Sequence, residues 1–276
     1  LIIVFTDLDG TLLDENYSCE AAKQALDLLL QSHIPIVFCS SKTRAEIEVY
    51  RREFGIHDPF IVENGGAIFI PTNYFTFTYE YTKRDGGYTI IELGTAYALL
   101  RSALHKVREK SGYNIIGFGD MTAREIAKEC GLHVSSAELA KRREYDEAFR
   151  IVEGDEDDIL RLLREEGLNC TKGGRYFHLT GDNDKGVAVR ILTKLFDKKY
   201  KFIRTMGLGD SVNDVPLFEA VDVPVLVKKA DGLHNGDIRV KNIIRVDGIG
   251  PRGWNEAIEK IVMVEMNRQL ENGSFG

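Results

Sequence analysis

Leu1-Ile2-Ile3-Val4-Phe5-Thr6-Asp7-Leu8-Asp9-Gly10-Thr11 is the stretch from which the fold is read. Its first five residues form a short, unbroken apolar run, the pattern of a strand covered on both faces in a parallel sheet. Asp7 and Asp9, two positions apart, project to the same side of an extended backbone. Gly10 and Thr11 then break the strand. In an open α/β sheet ligands bind beyond the carboxyl ends of the strands, so two acids fall where chemistry is expected. The plainer alternative is a polar turn, since Asp and Gly are ordinary turn residues.

The same texture repeats downstream. Ile34–Cys39 and Pro59–Glu63 read as buried strands that close on Ser40-Ser41-Lys42 and Asn64-Gly65-Gly66. Between the strands lie a helix over Cys19–Ser32, with Ala22, Ala25, Leu26, Leu29 and Leu30 on one face, and a helix to about Phe54. Thr43 and Glu46 make a capping box for the second helix. A β-α-β-α-β order with turn residues after each strand predicts a doubly wound, mostly parallel, Rossmann-like sheet.

From Ala67 the pattern changes to Tyr, Phe, Thr and Ile with polar alternation, which predicts antiparallel hairpins over 67–71 and 74–92. Helices follow at about 96–111 and 122–129, then a short helix started by a Ser135/Glu138 capping box. Phe149–Glu153 and Tyr176–Thr180 read as strands around a helix over 155–166. Parallel-type alternation resumes with a helix at about 183–199 and a strand at 202–207, which runs into Gly209-Asp210-Ser211-Val212-Asn213-Asp214. A short helix at 216–221, strands at 223–227 and 243–246 and a closing helix over Asn255–Leu270 complete the chain. The expected organisation is a core from residues 1–81 and 182–276 with an inserted α+β cap domain over 82–181.

With 276 residues, 43% hydrophobic and 29% charged, the composition is that of a globular protein with a sizeable core. A formal charge of −7 argues against a nucleic-acid partner held by a basic surface. No apolar stretch approaches a membrane span, and Leu1–Phe5 is expected to be a strand and not a signal peptide. Cys19, Cys39, Cys130 and Cys170 form no CxxC pair, which fits reduced thiols and a cytoplasmic setting. The six histidines show no ligand spacing, so zinc is not expected. Nothing in the sequence points to a particular assembly state.

Four predicted strand ends thus carry polar groups: Asp7 with Asp9, Ser40, Asn64, and the turn Gly209–Asp214. Asp7-x-Asp9-Gly10-Thr11, Ser40, Lys185 and Gly209-Asp210-x-x-Asn213-Asp214 resemble the four motifs of the haloacid dehalogenase superfamily of phosphatases, in motif order. The insertion lies between the second and third motifs, where one class of cap is placed in that superfamily. The resemblance implies a Mg²⁺ ion held by Asp7, the backbone carbonyl of Asp9 and Asp210, with Asp214 in support. It implies Asp7 as the nucleophile, forming an aspartyl-phosphate. Asp9 would protonate the leaving group and later deprotonate water. Ser40 and Lys185 would grip the phosphoryl oxygens.

Ser40-Ser41-Lys42-Thr43-Arg44 places two cations and hydroxyls at a helix N-terminus, which suits a substrate with a second anionic group near its phosphate. Arg142-Arg143-Glu144-Tyr145-Asp146-Glu147 and Gly173-Gly174-Arg175-Tyr176-Phe177-His178 are either solvated faces or sugar contacts. Together with Glu63-Asn64-Gly65-Gly66 these stretches resemble the mannosyl-3-phosphoglycerate phosphatase family. That implies a small phosphorylated sugar-glycerate substrate, with Lys42, Thr43 and Arg44 near its carboxylate. Asn64, Gly65 and Asn213 would line the core side, and Arg142, Arg143, Arg175 and His178 the cap. The family usually has Pro where this chain has Ala148.

The alternatives are a phosphatase for glucosyl-3-phosphoglycerate or sucrose phosphate, a phosphohexomutase, and a non-catalytic anion-binding protein. Gly248-x-Gly250-x-x-Gly253 matches a dinucleotide fingerprint. It comes too late in the chain for a following βαβ half, and reads as the loop into the last helix.

Overall fold

The structure, a computed structural model, describes residues 1–173 and 176–262. The chain opens with β1 (Ile2–Thr6), α1 (Lys23–Gln31), β2 (Ile36–Phe38) and α2 (Arg44–Glu53). It continues through β3 (Phe60–Val62), β4 (Ala67–Pro71), β5 (Lys83–Asp85), β6 (Tyr88–Glu92) and α3 (Tyr97–Ser111). Next come β7 (Asn114–Gly117), α4 (Ala123–Cys130), α5 (Val134–Ala140), β8 (Glu147–Glu153), α6 (Glu156–Glu165), β9 (Asn169–Lys172) and β10 (Phe177–Thr180). α7 (Lys185–Tyr200), β11 (Arg204–Gly209), α8 (Val215–Glu219), β12 (Val223–Lys228), β13 (Ile244–Ile249) and α9 (Pro251–Ala257) follow. Two compact units result: Leu1–Phe38 with the chain from Thr193 onward, and Cys39–Leu192.

The first unit is built on a five-stranded sheet in the order β13-β12-β11-β1-β2. All four pairings are parallel. β1 has a partner on each side, and Ile3, Val4 and Phe5 are fully buried, which is why its sequence is an unbroken apolar run. Burying each such side chain contributes roughly 1.5–3 kcal/mol. From β1 the chain moves to β2 on one side, while β11, β12 and β13 extend the other. The strand order therefore reverses between β1 and β11, the position at which α/β sheets bind ligands. Trp254 of α9, fully buried, donates from Nε1 to Thr6 Oγ1 at 3.0 Å and pins the end of β1.

The glycines of the decoy motif serve this packing. Gly250 caps α9, and Gly248 and Gly253 let their backbones touch. α9 ends at Ala257 and passes into a wider π-type turn over Ile258–Val262, and the expected continuation to Leu270 lies outside the described residues.

The second unit holds two antiparallel sheets, β3-β4-β6-β5 and β7-β8-β10-β9. The expected insert, residues 82–181, falls inside this unit. Along β8 and β10 the side chains alternate. Phe149, Phe177 and Leu179 pack on Leu100, Leu104, Ile159 and Leu163 of α3 and α6, while Ala148 packs with Ile126 and Ala137 of α4 and α5. His178 sits opposite Ala148 in register, on the face away from Phe177 and Leu179.

Two expectations about this unit are corrected. β3 was expected in the parallel sheet, but it pairs antiparallel with β4 and keeps a single parallel bridge, Cys39 to Ile61. The cause is the turn after it, where Glu63, Asn64 and Gly65 all have positive φ (47°, 56° and 88°) and turn the chain straight back. Ser135 does not cap α5: the helix begins at Val134, so Ser135 lies inside it, and the N-cap is His133, with no side-chain cap. β7 and β9 escaped the periodicity reading because each is only four residues long and carries polar residues. Among the described residues no helix is long and apolar enough to cross a membrane.

Candidate active site

At the switch point of the first unit, β1 delivers Asp7 and β11 delivers Asp210. The Asp7 amide donates to Leu208 O at 2.9 Å, so the two strand ends are locked side by side. Leu8 O accepts from both Leu13 N (2.8 Å) and Thr11 N (3.2 Å), folding residues 8–13 into a tight loop. Gly10 has φ +75°, and a Cβ there would come within 2.9 Å of Asp210 Oδ2. Any side chain at this position would push against that carboxylate, which explains the glycine after Asp9. Asp214 Oδ2 accepts from the backbone amides of Asp210 and Ser211, each at 3.1 Å, and so shapes the loop that holds Asp210. Asn213 sits in the same turn and accepts from Ser211 Oγ at 2.6 Å.

Asp7, Asp210 and Asp214 are all buried, and each offers a carboxylate oxygen within 4.8 Å of the others'. Three carboxylates so close together are a donor set that a cation bound among them would stabilise. The donors are all hard oxygens, the set Mg²⁺ prefers. The residues therefore fit a divalent cation, with Asp7 and Asp210 to hold it and Asp214, engaged with two amides, to steady the loop. Asp9 is partly exposed in the adjoining loop.

In the second unit the predicted residues gather around the loop after Cys39. Ser40 is fully buried. Its Oγ accepts from Lys42 N at 3.3 Å and its carbonyl accepts from Asn64 N at 3.0 Å. Lys42 is buried, 3.6 Å from Glu46 and over the Tyr50 ring. Thr43 and Glu46 form the expected capping box, and Thr43 Oγ1 also lies 3.0 Å from Leu139 O. Arg44 pairs with Glu48 (2.9 Å) and Asp85 (2.6 Å) and lies over the rings of Phe69 and Tyr88. Gly65 allows the Asp184 carbonyl to approach where a Cβ would collide with it, and Lys185 follows, almost entirely buried at the start of α7. Asn183 Nδ2 donates to Asn64 O at 3.2 Å, tying the two segments together.

The polar run at 142–147 is not one solvated face. Arg142 is exposed, but Arg143, Asp146 and Glu147 are buried. Arg143 donates to Asp146 O (Nε, 2.6 Å) and to Ser41 O (Nη2, 3.0 Å), and pairs with Asp146 Oδ1 at 3.1 Å. Asp146 also accepts from Asn64 Nδ2 at 2.8 Å and bonds His178 Nδ1 at 2.9 Å. Arg175 lies outside the described residues. Asp146 and Glu63 were not singled out from sequence. The available signal was an acid between arginines at a strand start, which a single sequence cannot distinguish from a surface.

Burial opposes the charge on Asp146, yet His178 and Arg143 beside it hold its carboxyl below the usual range. Burial pushes the Glu63 carboxyl up to about 8, against the pull of Arg143 and of the amides of Glu144 and Tyr145. Between its ordinary 4.5 and about 8, the folded protein thus holds this proton more tightly than the unfolded chain does. Glu63 contributes stability below pH 4.5 that is lost as pH rises through 8. Glu63→Gln removes the titration, so the fall in urea midpoint between pH 5 and pH 8 is expected to be smaller than in the wild type. An unchanged fall would contradict the assignment.

A family model for haloacid dehalogenase-like hydrolases matches residues 4–234. The chain belongs to that family, and it is a phosphoric monoester hydrolase. A glucosyl-3-phosphoglycerate/mannosyl-3-phosphoglycerate phosphatase from Methanococcoides burtonii is 50% identical over 263 residues, covering 94% of this chain and 97% of the relative. A mannosyl-3-phosphoglycerate phosphatase from Pyrococcus furiosus is 39% identical over 249 residues, covering 90% and 96%. Among solved structures, a Thermoplasma acidophilum protein has the same fold, with a TM-score of 0.67 at 19% identity over 94% of this chain and 97% of that one.

Proposed function

We propose that this chain hydrolyses the phosphate ester of mannosyl-3-phosphoglycerate or glucosyl-3-phosphoglycerate, releasing the glycosylglycerate and phosphate. The observation that carries the chemistry is the buried Asp7–Asp210–Asp214 group at the switch point of the parallel sheet. The relatives at 50% and 39% identity support the substrate. Mg²⁺, held by Asp7, the Asp9 carbonyl and Asp210, would screen the substrate dianion from the carboxylates and polarise the phosphoryl group.

Asp7, at the end of a strand fixed on both sides, attacks phosphorus and becomes an aspartyl-phosphate. Asp9, on the adjoining loop, gives a proton to the leaving alkoxide and takes one from the incoming water. Ser40 and Lys185 bind phosphoryl oxygens, and the amides of the loop after Asp7 assist. Lys42, Thr43 and Arg44 are assigned to the glycerate carboxylate, and Asn64, Gly65 and Asn213 to the core side of the substrate. Arg142, Arg143, Arg175 and His178 are assigned to the cap, for which we keep residues 82–181. A cytoplasmic setting suits the four cysteines, none of which forms a disulfide.

The test is phosphate release with Mg²⁺ from a panel of both glycosyl-3-phosphoglycerates, free 3-phosphoglycerate, sucrose phosphate and hexose phosphates. Preference for the first two supports the reading. Preference for sucrose phosphate or a hexose phosphate would replace it, and phosphate return to another hydroxyl would indicate a mutase.

A further inference from the structure

We propose that Asp146 is a positioning residue, which fixes the ring of His178 and the amide of Asn64 so that His178 Nε2 meets a hydroxyl of the substrate's sugar. The proposal rests on the substrate reading above. Asp146 is fully buried and gathers side chains from three separate stretches: Asn64 after β3, Arg143 before β8, and His178 on β10. An ionised carboxylate can only accept hydrogen bonds, and both oxygens lie within 3.0 Å of His178 Nδ1. Nδ1 therefore carries the hydrogen, and the opposite nitrogen of the neutral ring is an acceptor. The same logic orients Asn64: its NH₂ group faces Asp146, which sets its amide one way round.

A sugar hydroxyl is the partner this ring suits. It donates to a neutral Nε2 and accepts from a protonated one, whereas a carboxylate could pair only with the second. Nε2 lies beside Gly173, where a side-chain carbon would come within 2.9 Å of it, so a residue larger than glycine there would crowd this nitrogen. A merely structural tie between these strands would not call for a charge. Burying a carboxylate carries a desolvation penalty that apolar residues of the same volume avoid.

The test uses the full-length chain with Mg²⁺. For Asp146→Asn, kcat/KM on mannosyl-3-phosphoglycerate relative to p-nitrophenyl phosphate is expected to fall about tenfold, carried mainly by KM. Adding His178→Ala to that variant is expected to bring little further loss, because both changes remove one contact. Nitrogen-15 NMR of the wild-type ring should show hydrogen on Nδ1. An equal loss on both esters would reduce Asp146 to a structural tie, and a ring protonated only at Nε2 would also overturn the proposal.

Should Asp146→Asn fail to fold, His178→Asn carries the test. It keeps a donor for Asp146 but lacks the distal nitrogen, so the same tenfold fall is expected and unchanged selectivity would refute the role. A wild-type enzyme with no preference for the sugar ester would count against the substrate reading. The ring tautomer would then decide whether Asp146 holds His178 as described.

Discussion

Asp7→Asn is expected to reduce phosphate release by roughly 10⁴-fold or more while leaving the fold intact. The amide has the shape of the carboxylate but cannot act as the nucleophile. The bond that locks this position, Asp7 N to Leu208 O, is made by the backbone and survives the change. The substitution also removes one negative charge from three buried carboxylates that lie within 4.8 Å of one another. A steady-state phosphate assay and a thermal melt check both halves. Substantial residual turnover would contradict covalent catalysis, and a collapsed melt would make the loss of activity uninformative.

Chelation is the second large effect. Removing divalent ions is expected to stop turnover, by roughly three orders of magnitude, with full recovery on adding Mg²⁺. Because the ion binds the folded chain and not the unfolded one, Mg²⁺ at a hundred times its dissociation constant should add about 2.7 kcal/mol of stability and so raise the melting temperature. That readout does not depend on catalysis. In Asp210→Ala the shift should largely vanish, since one of the two proposed direct side-chain ligands is gone. A shift of equal size in Asp210→Ala would place the ion elsewhere, and activity that survives exhaustive chelation would exclude a metal-dependent reaction.

Much of this was legible in the sequence, for physical reasons that differ between the units. β1 and β11 declare themselves because a strand buried on both faces must be continuously apolar, and the change to Asp and Gly marks where it ends. Asp7, Asp210 and Asp214 were therefore readable one at a time, and the structure adds that they converge. The Thr43/Glu46 capping box was equally plain, because it is a local bond within four residues.

What the sequence concealed was non-local or strained. β3 joins an antiparallel sheet because three successive residues, two of them non-glycine, adopt positive φ, which no periodicity announces. Arg143, Asp146 and Glu147 could be read as a solvated face or as sugar contacts, because many of the partners that justify burying their charges lie far along the chain: Ser41, Asn64, Arg101 and His178. Arg44 was legible as a cation near the loop. Its pairing with Asp85 on β5 was not, since 41 residues separate them.

Trapping the phosphorylated enzyme tests the chemistry at its centre. Borohydride reduces an acyl phosphate to an alcohol, so quenching wild-type turnover with it should convert the aspartate that carried phosphate into homoserine. Mass spectrometry of the N-terminal peptide is expected to find that conversion at position 7, dependent on substrate and on Mg²⁺. Conversion at Asp9, or none at any carboxylate during active turnover, would contradict nucleophilic attack by Asp7.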